Sequence, residues 1–137
     1  MKKNNDNSLK KLSIVPGWIL RLYEEIDSLK FGFGFECFTP ETEMVFGTAQ
    51  VKGSKAIKDF FIKIDSPLNS KHQVHEFWDS EGVKIVVGDA VISKKSDPGK
   101  VITTPLVNIF HMSDSDPAKI RKLLIVAGPF DTDTLIH

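Results

Sequence analysis

From residue 71 onward the hydrophobic pattern repeats every two residues, in four runs covering 72–79, 83–94, 101–112 and 119–129. That period belongs to strands with one face turned to a core. The separators are turn formers: Asp79-Ser80-Glu81-Gly82, Ser96-Asp97-Pro98-Gly99 and Ser113-Asp114-Ser115-Asp116-Pro117. Asp and Ser bond back to nearby backbone, while Gly and Pro supply the dihedrals a reversal needs. Short connections of this kind join antiparallel neighbours, so the second half of the chain reads as an antiparallel meander. Strands about ten residues long twist, and a sheet built from them curls around whatever covers it. The pattern therefore demands covering elements.

Two amphipathic helices upstream supply them. After Pro16, the residues Trp18, Leu22, Ile26 and Leu29 recur at helical spacing, with Arg21, Glu24, Glu25 and Lys30 at other angles. Pro16 suits the start, and Gly32 and Gly34 lie just past the end, which predicts a helix over 16–30. In the second, Ile57, Phe60, Phe61 and Ile64 form the stripe, and Lys55, Lys58, Asp59 and Lys63 the wet side. Ser54 is placed to cap it and Asp65-Ser66-Pro67 to end it. Residues 42–51, rich in β-formers around Gly47, predict a short hairpin between the helices. The fold class is α+β: a curved antiparallel sheet wrapped around N-terminal helices.

Composition bounds the function. At 137 residues, 1–137 is expected to be one domain, with residues 1–8 as a flexible tail. Apolar residues make up 41% and charged residues 26%, enough for a packed core. Lys plus Arg (18) balances Asp plus Glu (18), so no net field attracts phosphate backbones, and nucleic acid is not an expected partner. The start Met1-Lys2-Lys3-Asn4-Asn5-Asp6 lacks the apolar run of a secretory signal, and the one cysteine, Cys37, has no partner for a disulfide within the chain. A reducing cytoplasm fits both. No apolar run reaches the roughly 18 residues of a membrane helix, so no membrane partner is expected.

The order helix, hairpin, helix, curved meander resembles the nuclear transport factor 2-like cone fold, and within it the SnoaL-like branch. The residues that carry the resemblance are Trp18-Ile-Leu-Arg-Leu-Tyr-Glu-Glu-Ile-Asp27, Phe38-Thr-Pro-Glu-Thr-Glu-Met-Val-Phe46, Val51-Lys-Gly-Ser-Lys-Ala-Ile-Lys-Asp-Phe60, His72-Gln-Val-His-Glu-Phe-Trp78 and Pro105-Leu-Val-Asn-Ile-Phe110. The family includes ketosteroid isomerase, polyketide cyclases, scytalone dehydratase and limonene epoxide hydrolase, and also scaffolds without catalysis. The chain departs from it twice. Ala127-Gly128-Pro129 stands where many members carry an Asp, and the apolar stretch from Met44 to Phe46 stands where ketosteroid isomerase carries its base. The resemblance keeps Tyr23 near that family's helix tyrosine and Asn108 near its protonated strand aspartate.

Four residues are expected to carry any chemistry. His72 shares strand parity with Val74, Glu76 and Trp78, and the resemblance implies a histidine at the inner end of that strand. A neutral imidazole in an apolar cavity can act as a general base; the plainer reading is a strand-entrance histidine bonded to a loop. His75 has the opposite parity, so a regular strand brings only one of the two to the pocket. Asp89 is in step with Ile85, Val87 and Val91 and is expected to point inward, unless a bulge at Gly88 turns it out. Asn108, polar between Leu106 and Phe110, can orient a carbonyl or simply satisfy core backbone. Tyr23 can donate its hydroxyl into the same space.

The resulting expectation is a pocket for a small apolar organic ligand, walled by Trp18, Leu22, Phe35, Phe38, Phe60, Val74, Trp78, Leu106 and Phe110. Chemistry there is cofactor-free proton transfer, as in isomerisation, dehydration, cyclisation or epoxide hydrolysis, with no metal. The alternative is a binding or scaffolding module of the same fold. Strands 83–91 and 101–110 are apolar on both parities, more than one inner face needs, which predicts a homodimer.

Overall fold

A computed structural model describes residues 8–128. Helix α1 spans Gly17–Ser28 and α2 Ser54–Asp65. Strands β2 (Glu43–Phe46) and β3 (Ala49–Lys52) form the hairpin, turning at Gly47 with φ +60°. The meander is β4 (Leu68–Ser80), β5 (Val83–Lys94), β6 (Asp97–Met112) and β7 (Ile120–Ala127). A further strand, β1 (Lys10–Leu12), was not expected from sequence; its three residues pair with Phe77–Asp79 on the edge of β4. The sheet order is β1-β4-β5-β6-β7-β2-β3, antiparallel except where β2 runs parallel to β7. This is the expected cone-type α+β fold: an open, curved sheet with two helices in its concave side. Residues 1–7 of the expected tail lie outside the described residues.

Several local expectations are corrected. Ser54 is the first helical residue and makes no cap bond; Gly53, at φ +95°, holds the cap position instead. The reversal between β5 and β6 is tighter than the Ser96–Gly99 turn motif suggests, because the ladder resumes at Asp97 opposite Lys94. Most consequential is a bulge in β4. The β4–β5 register slips between Val74 and Glu76, which leaves His75 as the extra residue. Strand parity therefore changes there: His72 and Val74 face the helices, and beyond the bulge it is Phe77, 1% exposed, that faces the core. Glu76 and Trp78 are turned to the opposite face, where the Trp78 indole donates to Glu76 at 3.0 Å.

The core gathers Ile19, Leu22, Ile26, Phe61, Phe77, Val86, Phe110 and Leu123 between helices and sheet. Cys37 is buried there, and desolvation pushes its thiol up to about 12, so it behaves as a small apolar group.

One carboxylate, Glu25, is buried on α1. It accepts from the backbone N–H groups of Gly32 and Gly34 at 2.8 Å each and from Arg21 Nε at 3.0 Å, which ties the loop after α1 back onto the helix. A Cβ on Gly34 would lie 2.8 Å from that carboxylate, so a larger residue there would push the Glu25 side chain off its donors. Desolvation opposes the charge, but the two N–H donors and Arg21 outweigh it and hold the carboxyl below its ordinary value. The stabilisation is thus present above the ordinary carboxylate range and lost as pH falls through the lowered folded value. Glu25→Ala leaves two donors without their acceptor and should cost roughly 3 kcal/mol in urea unfolding at neutral pH. A loss below about 1 kcal/mol would show that water replaces the clamp.

Candidate functional site

α1 and β4 meet at their polar residues. Tyr23 and Asp27 are one helical turn apart and so share a face of α1. Asp27 Oδ2 accepts from the His72 backbone N–H at 2.9 Å, and Oδ1 accepts from Ser70 Oγ at 3.2 Å. The His72 ring nitrogen Nδ1 lies 2.5 Å from Oδ1. An ionised carboxylate only accepts, so Nδ1 carries a proton toward Asp27, and in the neutral ring Nε2 keeps its lone pair. Nε2 makes no hydrogen bond among the described residues. The Tyr23 ring stacks on the imidazole at 5.0 Å and 17°, fixing its plane.

Deeper in, Asn108 Nδ2 donates to the Tyr23 hydroxyl at 2.6 Å. Both residues are buried, at 4% and 5% exposure. Burial is the main reason the Tyr23 phenol is held well above its ordinary value, with the Asn108 bond opposing and Asp27 adding; Tyr23 remains a donor across the whole neutral range. Asn108 Oδ1 is buried with no partner.

These groups border a cavity of about 110 Å³ between the helices and the concave sheet. Its walls are chiefly apolar: Leu22, Ile26, Phe46, Phe61, Ile64, Leu68, Ala90, Ile92, Leu106, Phe110, Leu123 and Ile125, with Tyr23, His72, Asn108, Thr104 and Asp65 as the polar exceptions. Thr104 spends its hydroxyl on the Gly128 carbonyl. The Asp65 carboxyl, at the end of α2, makes no hydrogen bond among the described residues. Burial pushes its carboxyl up to about 6; His72 opposes the rise and Asp27 adds to it. A folded value above the unfolded one costs stability as pH rises from about 4 through 6. Asp65→Asn should therefore raise stability at neutral pH by roughly 1 kcal/mol after solvent screening, with the gain gone below about pH 4. Thermal melts across that range check it; an Asn variant no more stable at neutral pH would contradict the placement.

Of the expected residues, the structure brings Tyr23, His72 and Asn108 together and leaves Asp89 out. β5 alternates regularly through Ile92, so Val86, Ala90 and Ile92 face inward and Asp89, in step with Ile85 and Val87, faces outward, where Asp89 Oδ2 lies 2.7 Å from His75 Nε2. Of the expected walls, Leu22, Leu106 and Phe110 line the cavity. Trp18 packs edge-on against Phe110 at 5.7 Å, Phe35 edge-on against Phe38 at 5.0 Å, and Phe60 at a tilt against Phe46 at 5.3 Å, and Trp18, Phe35, Phe38 and Phe60 do not line the cavity. Val74 packs against the core, and Trp78 faces away. Asp27, Ser70 and Asp65 were missed. Asp27 lies one turn beyond Tyr23 on α1, a spacing that by itself does not set it apart from the other charges of the helix. Among the described residues no three His, Cys, Asp or Glu side chains gather as a metal site would need, and no helix is long and apolar enough to cross a membrane.

Comparison with known proteins agrees on the fold. No protein-family model matches the chain, and no curated protein matches its sequence. Solved structures do. A candidate SnoaL-like polyketide cyclase from Shewanella denitrificans superposes with a TM-score of 0.68 at 11% identity, over 87% of this chain and 91% of that one. TerC co-crystallised with polyporic acid gives 0.68 at 19% identity, over 87% and 92%. An LEH-like epoxide hydrolase from Mycobacterium tuberculosis gives 0.66 at 6% identity, over 81% and 80%. The chain has the SnoaL-like, nuclear transport factor 2-like fold.

Proposed function

We propose that this chain is a small-molecule-binding cone-fold protein that moves a proton on an apolar, oxygen-bearing ligand, using its own side chains alone. The observation that carries this reading is the Asp27–His72 pair on the cavity wall: Asp27 fixes the tautomer that leaves Nε2 free, beside the Tyr23–Asn108 donor pair in an apolar enclosure. His72 is the general base, Asp27 positions it, and Tyr23 donates to the oxygen on which charge develops. Asp65, raised to about 6, is a second proton carrier at the same cavity. Polyketide cyclisation and epoxide hydrolysis, named for proteins of the same fold, support the reaction class without selecting a member of it. The single cysteine, buried and unpaired, suits a reducing, cytoplasmic setting.

The test is deuterium wash-in. The α-carbons of cyclohexanone in D₂O should exchange faster with the protein than in buffer, followed by NMR. Exchange no faster than buffer across small enolisable ketones would end the catalytic reading and leave a ligand-binding module.

The outer sheet face supports self-association. Ile85 lies opposite Ile109 and Val87 opposite Val107 on that face, and Pro105 sits opposite Asp89, whose Oδ1 is buried without a partner. Such a face gains from a second copy. Sedimentation at micromolar concentration should give a homodimer that Val107→Glu converts to monomer; a wild-type monomer would remove the claim.

A further inference from the structure

The cavity is closed at one end and open at the other. Leu22, Phe110 and Leu123 line it and are no more than 1% exposed, whereas Ile64, which also lines it, is 38% exposed. Ile64 stands in the last turn of α2 beside Asp65, and the next lining residue, Leu68, begins β4, so the mouth lies where α2 gives way to the sheet. The sheet runs on past that mouth. Along β6 the inward residues Phe110, Asn108 and Leu106 are 0%, 4% and 6% exposed, Thr104 is the last of them to line the cavity, and Ile102, two residues further, is 55% exposed. Ile102 also stands directly opposite Ile92 of the cavity wall, and residues in direct register share a face. Its side chain therefore belongs to the concave face, outside the enclosure.

Ile64, Leu68, Ile92 and Ile102 thus form an apolar strip that carries the cavity wall out into solvent. It ends at Lys94, exposed and opposite Leu68. The enclosed space is about 110 Å³, below the roughly 150 Å³ that takes benzene in a sealed apolar cavity, so a ligand of ring size already fills it and reaches the mouth. Anything longer must lie along the strip. Four side chains are far short of the roughly 800 Å² per partner of a stable interface, so the strip does not suit a second copy of the chain. It suits a narrow apolar chain.

We infer that the ligand is elongated, with its oxygen-bearing head inside the cavity and an unbranched alkyl chain leaving through the mouth along Leu68, Ile92 and Ile102. This deepens the small-molecule reading of the cavity and rests on it. Each methylene laid on the strip leaves water for apolar surface and adds affinity, and the gain depends on Ile102 only for chains long enough to reach it.

The test titrates 2-butanone, 2-hexanone and 2-octanone into the full chain by NMR, in ordinary water so that binding is read apart from exchange. 2-Octanone should bind at least about tenfold more tightly than 2-butanone, about twofold for each added methylene. Ile102→Ser should reduce that preference to below about threefold and leave 2-butanone within about twofold of the native affinity. Val101→Ser removes an equally exposed apolar side chain from the opposite face and should leave the preference intact. A preference that both variants keep would show unspecific adhesion of the longer ketones and overturn the inference. Equal affinity for all three ketones would show the strip covered by residues 129–137 or by another molecule, and would also overturn it. So would loss of a dimer on Ile102→Ser, which would make the strip part of a contact between copies. Deuterium wash-in without a chain-length preference refutes the elongated ligand alone, and a preference without wash-in refutes only the catalytic reading. If no ketone binds, the ligand site falls and this inference with it.

Discussion

Replacing His72 with alanine should slow deuterium wash-in by about 10²- to 10⁴-fold, the range a positioned general base supplies. The enclosure, the Tyr23 donor and the fold all remain, so the loss isolates the base. Asp27→Asn should be nearly as damaging for a different reason. The carboxylate accepts the Nδ1 proton at 2.5 Å, whereas an amide can donate to Nδ1 and drive the proton to Nε2, removing the lone pair that faces the ligand. His75→Ala should leave exchange unchanged, because that ring lies on the outer face with Asp89. An Asp27→Asn protein as active as the native one would remove the positioning role.

Gly88→Ala should cost roughly 3 kcal/mol of stability and on the order of 10 °C in melting temperature. A Cβ there would lie 2.0 Å from the Gln73 carbonyl oxygen and 3.2 Å from Val74 Cα. Both are backbone atoms of the facing strand, so no side-chain rotation relieves the clash. The ladder must open at the bulge, and the bulge aligns His72 and Phe77 on the same face. Exchange activity should therefore fall with stability. A variant melting like the native protein would show that the bulge is not pinned at this position.

The sequence was most legible where a long periodic pattern met clear punctuation. The bounds of β5 and the extents of both helices follow from spacing and turn residues to within two residues. Strand parity was less legible, because one inserted residue at His75 inverts the facing of all that follows, and period-two reasoning has no local signal for it. Trp78 was misdirected for this reason; Asp89 was misdirected because β5 is apolar on both parities and the inward one is that of Val86, Ala90 and Ile92. The site was legible in its donors, Tyr23 and Asn108, since a polar residue in an apolar stripe declares itself. Asp27 was not, because on a helix flank an acid looks like any solvated charge until β4 is brought against it.

The central claim is that His72 presents an unprotonated Nε2 to the ligand, and long-range ¹⁵N–¹H NMR of the labelled protein reads this directly. The neutral His72 ring should be the tautomer protonated on Nδ1, and titration with cyclohexanone should shift Nε2 while Nδ1 keeps its proton on Asp27. A ring protonated on Nε2, or an Nε2 resonance that does not respond while the probe binds, would contradict the account.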